Sequence, residues 1–355
     1  MFASAEQDLA EFRPWDLAAK ENPMTVPTSF ETFRKALEID KATVDSAADL
    51  QQRARKALEA IPGFERSFLS GSYARNTRLD PLNDIDIVVV VAGTAEWNDD
   101  PETAMRAAGE VVRPEFPGCR ISMGAHAAKI VPEDPPIEGV HLDVVVARSA
   151  GWGSAVEISE RLPSPTWKLS DPEAHRVALS KASEAWAGRL VPMIKQVKHW
   201  NRNASGDGLK SFLVEALALR IFTGSGDRSA AEMIQKFFAE AKSAILTPTA
   251  NPAVPDGVVD GDLTGDERAS HSDRLAKASK AADDAVSVAK TDEDVAEDIW
   301  YGLFGDPFPK PVRDDAKEAI AKALRAGTAG AAGGTLLPGG GRPIIPARSF
   351  GDRDA

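Results

Sequence analysis

Residues 69–91 read LSGSYARNTRLDPLNDIDIVVVV, and this stretch indicates both the fold and the site. It begins with Gly71 and Ser72 in a loop before a short helix, where unpaired N–H groups can hold a phosphate. It ends in a strand in which Asp84 and Asp86 alternate with isoleucine. Because side chains of a strand alternate between its faces, both carboxylates leave one face and the isoleucines enter a core. Two such carboxylates can share a pair of divalent metal ions.

A third carboxylate follows in residues 140–147, whose sequence VHLDVVVA predicts another strand. Asp143 stands alone among apolar residues there. Burying a carboxylate is unfavourable unless it is paired, and a metal ion supplies a partner. We therefore expect Asp143 to meet Asp84 and Asp86 across neighbouring strands, with Val88–Val91 buried as part of a central strand. Each motif alone is a weak signal, but their order is specific for a site that transfers nucleotidyl groups.

The chain has 355 residues and a formal net charge of −12. Its length predicts two lobes with extensions rather than one average domain. The single cysteine, Cys119, excludes a disulfide framework and a cysteine-based zinc site, and it fits a cytoplasmic protein. No run of about 18 apolar residues occurs, and residues 1–23 lack the apolar centre of a signal peptide, so no membrane association is expected. The negative charge argues against long nucleic acid as the main partner and favours small charged substrates.

The second half of the chain shows helical periodicity. Residues 170–203 predict one long helix with a kink at Pro192. Lys195, Lys198 and Arg202 recur at spacings of three and four, so they share one face of this helix. That face is either a solvated surface or a part of the site.

The predicted fold class is α+β, with four segments in chain order. Residues 1–27 form a flexible extension and residues 28–165 a catalytic lobe built on a mixed sheet. Residues 119–131 contribute one strand to that sheet. Residues 166–326 form a helical lobe, and the glycine-rich tail 327–355 is flexible.

Three motifs, GSYARNT, DIDIVVV and LDVVV, resemble those of the polymerase-β-like nucleotidyltransferase superfamily. Four further stretches narrow this resemblance: PTWKLSDPEAH (165–175), MIKQVKHWNR (193–202), LKSFLVEALAL (209–219) and DIWYGLFGDPFP (298–309). Together they are similar to the bacterial cyclic-oligonucleotide synthases, relatives of cyclic GMP-AMP synthase and oligoadenylate synthase that work in anti-phage signalling. The resemblance covers roughly residues 28–326. It implies two lobes on either side of a cleft.

The resemblance also implies roles for matching residues of the catalytic lobe. Gly71 and Ser72 would bind the triphosphate of a donor NTP. Asp84, Asp86 and Asp143 would bind two Mg²⁺ ions, for which Mn²⁺ can substitute. The zinc-binding insert of the animal enzyme has no counterpart in the sequence, so activation by double-stranded DNA is not expected.

On the helical lobe, the resemblance implies that Lys198 and Ser211 contact the donor phosphates from the other side. Phe212 either stacks on the donor base or belongs to the core. The substrates implied are ATP, GTP or both, with pyrimidine NTPs as further candidates. The tail 327–355 is either a handle for a conjugating or regulatory protein or a disordered end.

The expected function is Mg²⁺-dependent joining of NTPs into a cyclic di- or trinucleotide second messenger, with release of pyrophosphate. One alternative is another nucleotidyltransferase, such as an RNA-tailing or CCA-adding enzyme, although polymer tailing favours a more basic surface than a charge of −12 allows. The other alternative is a catalytically silent nucleotide-binding scaffold. The three intact aspartates argue against that alternative.

Overall fold

The structure is a computed structural model and describes residues 25–92, 100–204 and 208–310. These residues combine one mixed sheet with a set of helices. The strands are β1 (Phe64–Leu69), β2 (Asp84–Val91), β3 (Arg120–Met123), β4 (Ala128–Val131), β5 (His141–Ser149), β6 (Val156–Glu160) and β7 (Thr166–Ser170). The helices are α1 (Val26–Ala36), α2 (Lys41–Leu58), α3 (Gly71–Ala74), α4 (Pro101–Val112), α5 (Pro172–Ala185), α6 (Leu190–Arg202), α7 (Ser211–Ile221), α8 (Ala230–Ala244), α9 (Gly265–Val288) and α10 (Glu293–Phe304).

The strands form a single sheet in the order β1-β2-β5-β4-β3, and β6 pairs with both β5 and β7. β2 and β5 run parallel whereas the other pairs are antiparallel, so the sheet is mixed, as predicted. The parallel register sets Asp86 beside Asp143 and Asp84 beside His141. The two strands therefore present acidic residues next to each other where both strands begin.

One face of the sheet packs against α2 and α4. Ile85, Ile87 and Val89 of β2 are buried in this core. Because side chains alternate, Asp84 and Asp86 leave the opposite face. The four valines at the end of β2 are also buried, which confirms the predicted central strand.

A second core joins the helices, and α1 belongs to it. The ring of Phe30 lies 5.0 Å from that of Trp300 at an angle of 80°, and Phe33 lies 4.8 Å from Phe304. Aromatic pairs of this kind stabilise a core beyond their burial of apolar surface. The first described helix is thereby packed on α10. None of the helices in the described ranges is long and apolar enough to cross a bilayer.

The predicted lobe boundaries, 28–165 and 166–326, stay predictions. The structure shows that the sheet continues through β7 to Ser170. It also shows that α1 packs with helices from the second half of the chain. The predicted tail 327–355 and nearly all of the predicted extension 1–27 lie outside the described residues.

The prediction of one long helix over residues 170–203 is wrong, because a turn separates α5 from α6. Ala187 and Gly188 have left-handed φ angles of 52° and 75°. The N–H of Gly188 donates to the carbonyl of Ser183 at 2.8 Å, which closes the end of α5. Pro192 lies in the first turn of α6, where an N–H group has no helical partner, so proline is tolerated without a kink.

Residues 119–131 form a hairpin rather than the single strand predicted. β3 and β4 pair antiparallel, and the N–H of Gly124 donates to the carbonyl of Ala127 at 2.8 Å to close the turn. The turn lacks the Asn-Gly or Asp-Gly pair that usually marks a tight hairpin. The hairpin matters for the site because it pairs Lys129 with Asp143.

Candidate active site

Three aspartates meet where β2 and β5 begin. One carboxylate oxygen from each of Asp84, Asp86 and Asp143 lies within 4.8 Å of the others, and all three residues are half-buried. The parallel register brings Asp143 beside Asp86. The prediction that Asp143 meets the other two aspartates is therefore confirmed.

The three charges oppose one another in this confined space. Burial raises the pKa of Asp86 to about 7, and the charges of Asp84 and Asp143 add to the rise. Burial also raises the pKa of Asp143. A bound cation would relieve this repulsion, and an all-oxygen donor set is the type that Mg²⁺ and Mn²⁺ prefer. The residues present therefore fit a divalent metal ion.

Gly71 brings the beginning of α3 directly onto the carboxylates, so Gly71 and Ser72 lie within this short helix and not in the loop that the sequence predicts before it. We call residues 71–77, which include α3, the loop of Gly71. The φ of Gly71, +63°, is left-handed, a conformation that glycine adopts readily. A Cβ at this position would lie 1.5 Å from Oδ2 of Asp86, so a side chain does not fit. The N–H of Ser70 also donates to the carbonyl of Asp86 at 2.9 Å. The loop with Gly71 and Ser72 thus adjoins the aspartates, and its binding of phosphate stays a prediction.

Two basic residues that lie beside Asp143 are not among the site residues predicted from the sequence. Nε2 of His141 lies 3.6 Å from Oδ2 of Asp143, and Lys129 is the cross-strand neighbour of Asp143 on β4. Burial raises the pKa of Asp143, and the nearby His141 and Lys129 partly oppose this rise. The period of two in β5 already sets His141 on the face of Asp143. Lys129 becomes recognisable only once the β3–β4 hairpin is known.

The three cations predicted on one helix face have separate partners, and all three partners lie outside α6. Lys195 is buried, and its Nζ lies 2.6 Å from Oε2 of Glu38. Arg202 donates to the carbonyl of Asp80 at 3.1 Å. The charges of Asp84 and Asp80 act on Arg202, so Arg202 lies near the acidic site. Lys195 and Lys198 are buried but Arg202 is exposed, so the predicted face is buried at the two lysines and solvated at Arg202.

Lys198 is also buried, and its Nζ lies 2.5 Å from Oε1 of Glu215 on α7. It donates to the hydroxyl of Thr77 at 3.0 Å as well. Nε of Arg75 donates to Oε2 of Glu215 at 2.6 Å. We call Glu215, Arg75, Thr77 and Lys198 the Glu215 cluster. The contact between Lys198 and the donor phosphates stays a prediction.

Ser211 is exposed at the beginning of α7, and Phe212 is half-buried. The guanidinium of Arg75 lies 5.7 Å from the centre of the Phe212 ring, and the ring of His175 meets it edge-on at 4.7 Å. A cavity of about 110 Å³ opens beside Phe212 and Ser70. Phe212 therefore borders open space, and its stacking on a base stays a prediction, as does phosphate binding by Ser211.

Comparisons with known sequences identify proteins to which this chain is similar. Residues 24–182 match the family model described as the Second Messenger Oligonucleotide or Dinucleotide Synthetase domain. A curated relative, the cyclic AMP-AMP-AMP synthase of Acinetobacter sp. (strain ATCC 27244 / 9458), is 24% identical over 335 residues. That alignment covers 86% of this chain and 94% of the relative.

Solved structures share the fold. CdnC of E. coli MS115-1 with ATP has a TM-score of 0.67 at 17% identity, covering 81% of this chain and 99% of CdnC. CdnC in complex with HORMA-deltaN has a TM-score of 0.64 at 17% identity, covering 80% of this chain and 98% of that chain. The cyclic AMP-GMP synthase DncV of Vibrio cholerae, a prokaryotic cGAS homologue, has a TM-score of 0.62 at 14% identity, covering 80% and 97%. These likenesses confirm the predicted two-lobed, polymerase-β-like fold.

Proposed function

We propose that this chain joins NTPs at Asp84, Asp86 and Asp143. It is a bacterial nucleotidyltransferase of the cGAS/DncV-like family, which makes cyclic oligonucleotide second messengers. The observation that carries the assignment of these residues is the convergence of three carboxylates from β2 and β5 directly against the loop of Gly71. A metal site next to a phosphate-binding loop is the equipment that nucleotidyl transfer requires.

In the proposed reaction, a ribose hydroxyl oxygen of one NTP attacks the α-phosphorus of another. A new oxygen–phosphorus bond forms, the bond from the α-phosphorus to the β-phosphate oxygen breaks, and pyrophosphate leaves. Asp143 accepts the proton of the hydroxyl, and Ser72 with nearby N–H groups orients the β- and γ-phosphates. Mg²⁺ held by the three aspartates would lower the pKa of the hydroxyl and neutralise the leaving group. A last, intramolecular attack closes the cyclic product.

ATP is the substrate that we propose to test first, and a cyclic triadenylate is the first product to seek. The support is that the curated relative is a cyclic AMP-AMP-AMP synthase and that CdnC has been solved with ATP. A cyclic dinucleotide is the other product within the proposal. Two Mg²⁺ ions per site and a role in anti-phage signalling belong to the same proposal.

The experiment uses α-labelled NTPs, alone and mixed, with Mg²⁺ or Mn²⁺. The wild-type chain is expected to give small, phosphatase-resistant products, and Asp84→Ala with Asp86→Ala is expected to abolish them in a folded protein because the metal ligands are lost. The control Asp283→Ala with Asp284→Ala makes the same change on the exposed side of α9 and should leave activity intact. Turnover close to wild type in the folded Asp84/Asp86 variant would sink the assignment, and long product ladders would indicate a tailing enzyme.

We also propose a regulatory protein partner, because CdnC has been solved in complex with HORMA-deltaN. Purification of the chain together with a HORMA-type protein tests this partner by co-elution and by a change in product yield. The tail 327–355, for which the sequence leaves open either a handle for a conjugating protein or a disordered end, lies outside the described ranges. Mass spectrometry after incubation with a conjugating enzyme tests for conjugation, and absence of an adduct at Ala355 would count against it.

A further inference from the structure

We propose that Glu215 is a positioning residue for the donor-triphosphate side of the site. Its single carboxylate holds Arg75 and Lys198, and it thereby keeps the loop of residues 71–77 at a set distance from the beginning of α7. The inference rests on the proposed function, because it assumes that a triphosphate lies between this loop and Ser211.

Hydrogen bonds join the two ends of the loop to each other and to the cluster. The N–H of Thr77 donates to the carbonyl of Ser72 at 3.0 Å, and the N–H of Arg75 donates to the carbonyl of Gly71 at 3.3 Å. Thr77 is fully buried, and its hydroxyl donates to Oε1 of Glu215 at 2.7 Å. A displacement of Thr77 or Arg75 therefore displaces Gly71 and Ser72.

The helical side of the cluster is equally constrained. Glu215 is fully buried on α7, four residues after Ser211, so the two side chains lie on the same side of the helix. Lys198 reaches the same carboxylate from α6. Two helices and the loop thus meet at Glu215, and this carboxylate sets the spacing between Ser72 and Ser211.

The cluster also carries more positive than negative charge. Burial opposes the ionisation of Glu215, but Lys198 and Arg75 outweigh burial and hold the pKa of Glu215 at about 2. His175, 3.7 Å from Glu215, stays neutral because burial and then the charge of Arg75 lower its pKa to about 4. The charge of Arg75 also reaches Asp86, where it partly opposes the rise in pKa that burial causes. Two cations on one carboxylate leave a positive charge that suits an anion such as a triphosphate.

The test begins with Glu215→Gln, which removes the charge and retains the shape. We expect KM for ATP to rise about tenfold with a smaller change in kcat, because the cations that face the phosphates lose their fixed positions. The inhibition constant of inorganic tripolyphosphate should rise in parallel, since that probe has phosphates but no base. All measurements are made at a temperature at which circular dichroism shows the variant to be folded.

Two further variants separate positioning from stability. Glu297→Gln makes the same change at a buried glutamate that accepts a hydrogen bond from Ser29 at 2.6 Å in the helical core, and its KM should stay within about twofold of wild type. Thr77→Val removes the hydroxyl that joins Lys198 to Glu215 at nearly constant volume. Its KM should rise about threefold, less than for Glu215→Gln, because two hydrogen bonds to charged groups are lost while the direct contact between Lys198 and Glu215 remains. This variant serves if Glu215→Gln does not fold.

Wild-type KM and tripolyphosphate inhibition in every variant of the cluster that folds would overturn the positioning role, whatever the loss of thermal stability. The proposed function fails by a different result. In that case the wild-type chain makes no cyclic product, or the folded Asp84→Ala with Asp86→Ala variant still makes it.

Discussion

At the residue scale, the contact between Gly71 and Asp86 is the tightest constraint in the site. Gly71→Ala would place a Cβ 1.5 Å from Oδ2 of Asp86 and force the loop away from the carboxylates. We expect activity to fall about a hundredfold, because displacement of a substrate-positioning loop by about 1 Å has effects of this size. Pyrophosphate release measures the activity of the variant, and thermal unfolding measures its stability.

The matched control for this variant is Gly224→Ala. Gly224 has a similar φ of +72°, but a Cβ there would meet nothing within 4 Å. It should lose about 1–2 kcal/mol of stability, the cost of a left-handed conformation, and no activity. Equal activity of the two variants would show that the contact with Asp86 does not matter.

The raised pKa of Asp86 predicts a pH dependence of the metal-free protein. Burial and the neighbouring aspartates move this pKa from 3.8 to about 7. Between about pH 4 and pH 7 the folded protein therefore holds a proton that the unfolded chain releases, so stability falls as the pH rises through this window. Mg²⁺ binds the ionised form and should restore the melting temperature at pH 8 more than at pH 5.5.

Thermal unfolding with EDTA and with Mg²⁺ at these two pH values tests the prediction. Asp86→Asn carries no titrating proton at this position and should lose most of the pH dependence. A melting temperature that Mg²⁺ leaves unchanged at pH 8 would argue against a metal site at the three aspartates.

At the scale of elements, the register between β2 and β5 assembles the site. The pairing of Asp86 with Asp143 holds because Ile85 and Ile87 are buried on the opposite face. A slip of one residue would turn the carboxylates into the core and the isoleucines out of it. The strands thus bring the acidic residues together through the burial of their apolar neighbours.

The packing of α1 on α10 gives a prediction about stability alone. Phe33 is fully buried against Phe304, so Phe33→Ala should cost about 3–5 kcal/mol of unfolding free energy through lost burial and a cavity. Its KM and kcat should match wild type at a temperature where it is folded, because the ring partners of Phe33, which are His199, Phe304 and Phe308, are not residues of the candidate site. Chemical denaturation measures the loss. Leu246→Ala, at a residue with 52% exposure, is the control, and a loss below about 1 kcal/mol for Phe33→Ala would contradict the observed packing.

At the scale of the whole molecule, the site draws on residues that are far apart in the chain. The aspartates come from two strands of the sheet, and Glu215 binds Arg75 from a helix 140 residues further along. Such contacts connect the loop beside the sheet with α6 and α7. The spacing between the loop of Gly71 and the beginning of α7 is therefore a property of the folded chain and not of any one motif.

The sequence by itself determined the α+β class, the loop of Gly71 and the convergence of the three aspartates, because alternation along a strand is a local property that sets which face a side chain takes. It did not determine the break between α5 and α6, the β3–β4 hairpin or the partners of Lys198 and Arg202. Those features depend on turns with weak sequence signals and on contacts between residues far apart in the chain. Hydrophobic periodicity carries no information about either. Only the tertiary structure decided that Glu215 and Lys198 lie together under the loop, because a buried charge is tolerated where the fold supplies its counter-charge.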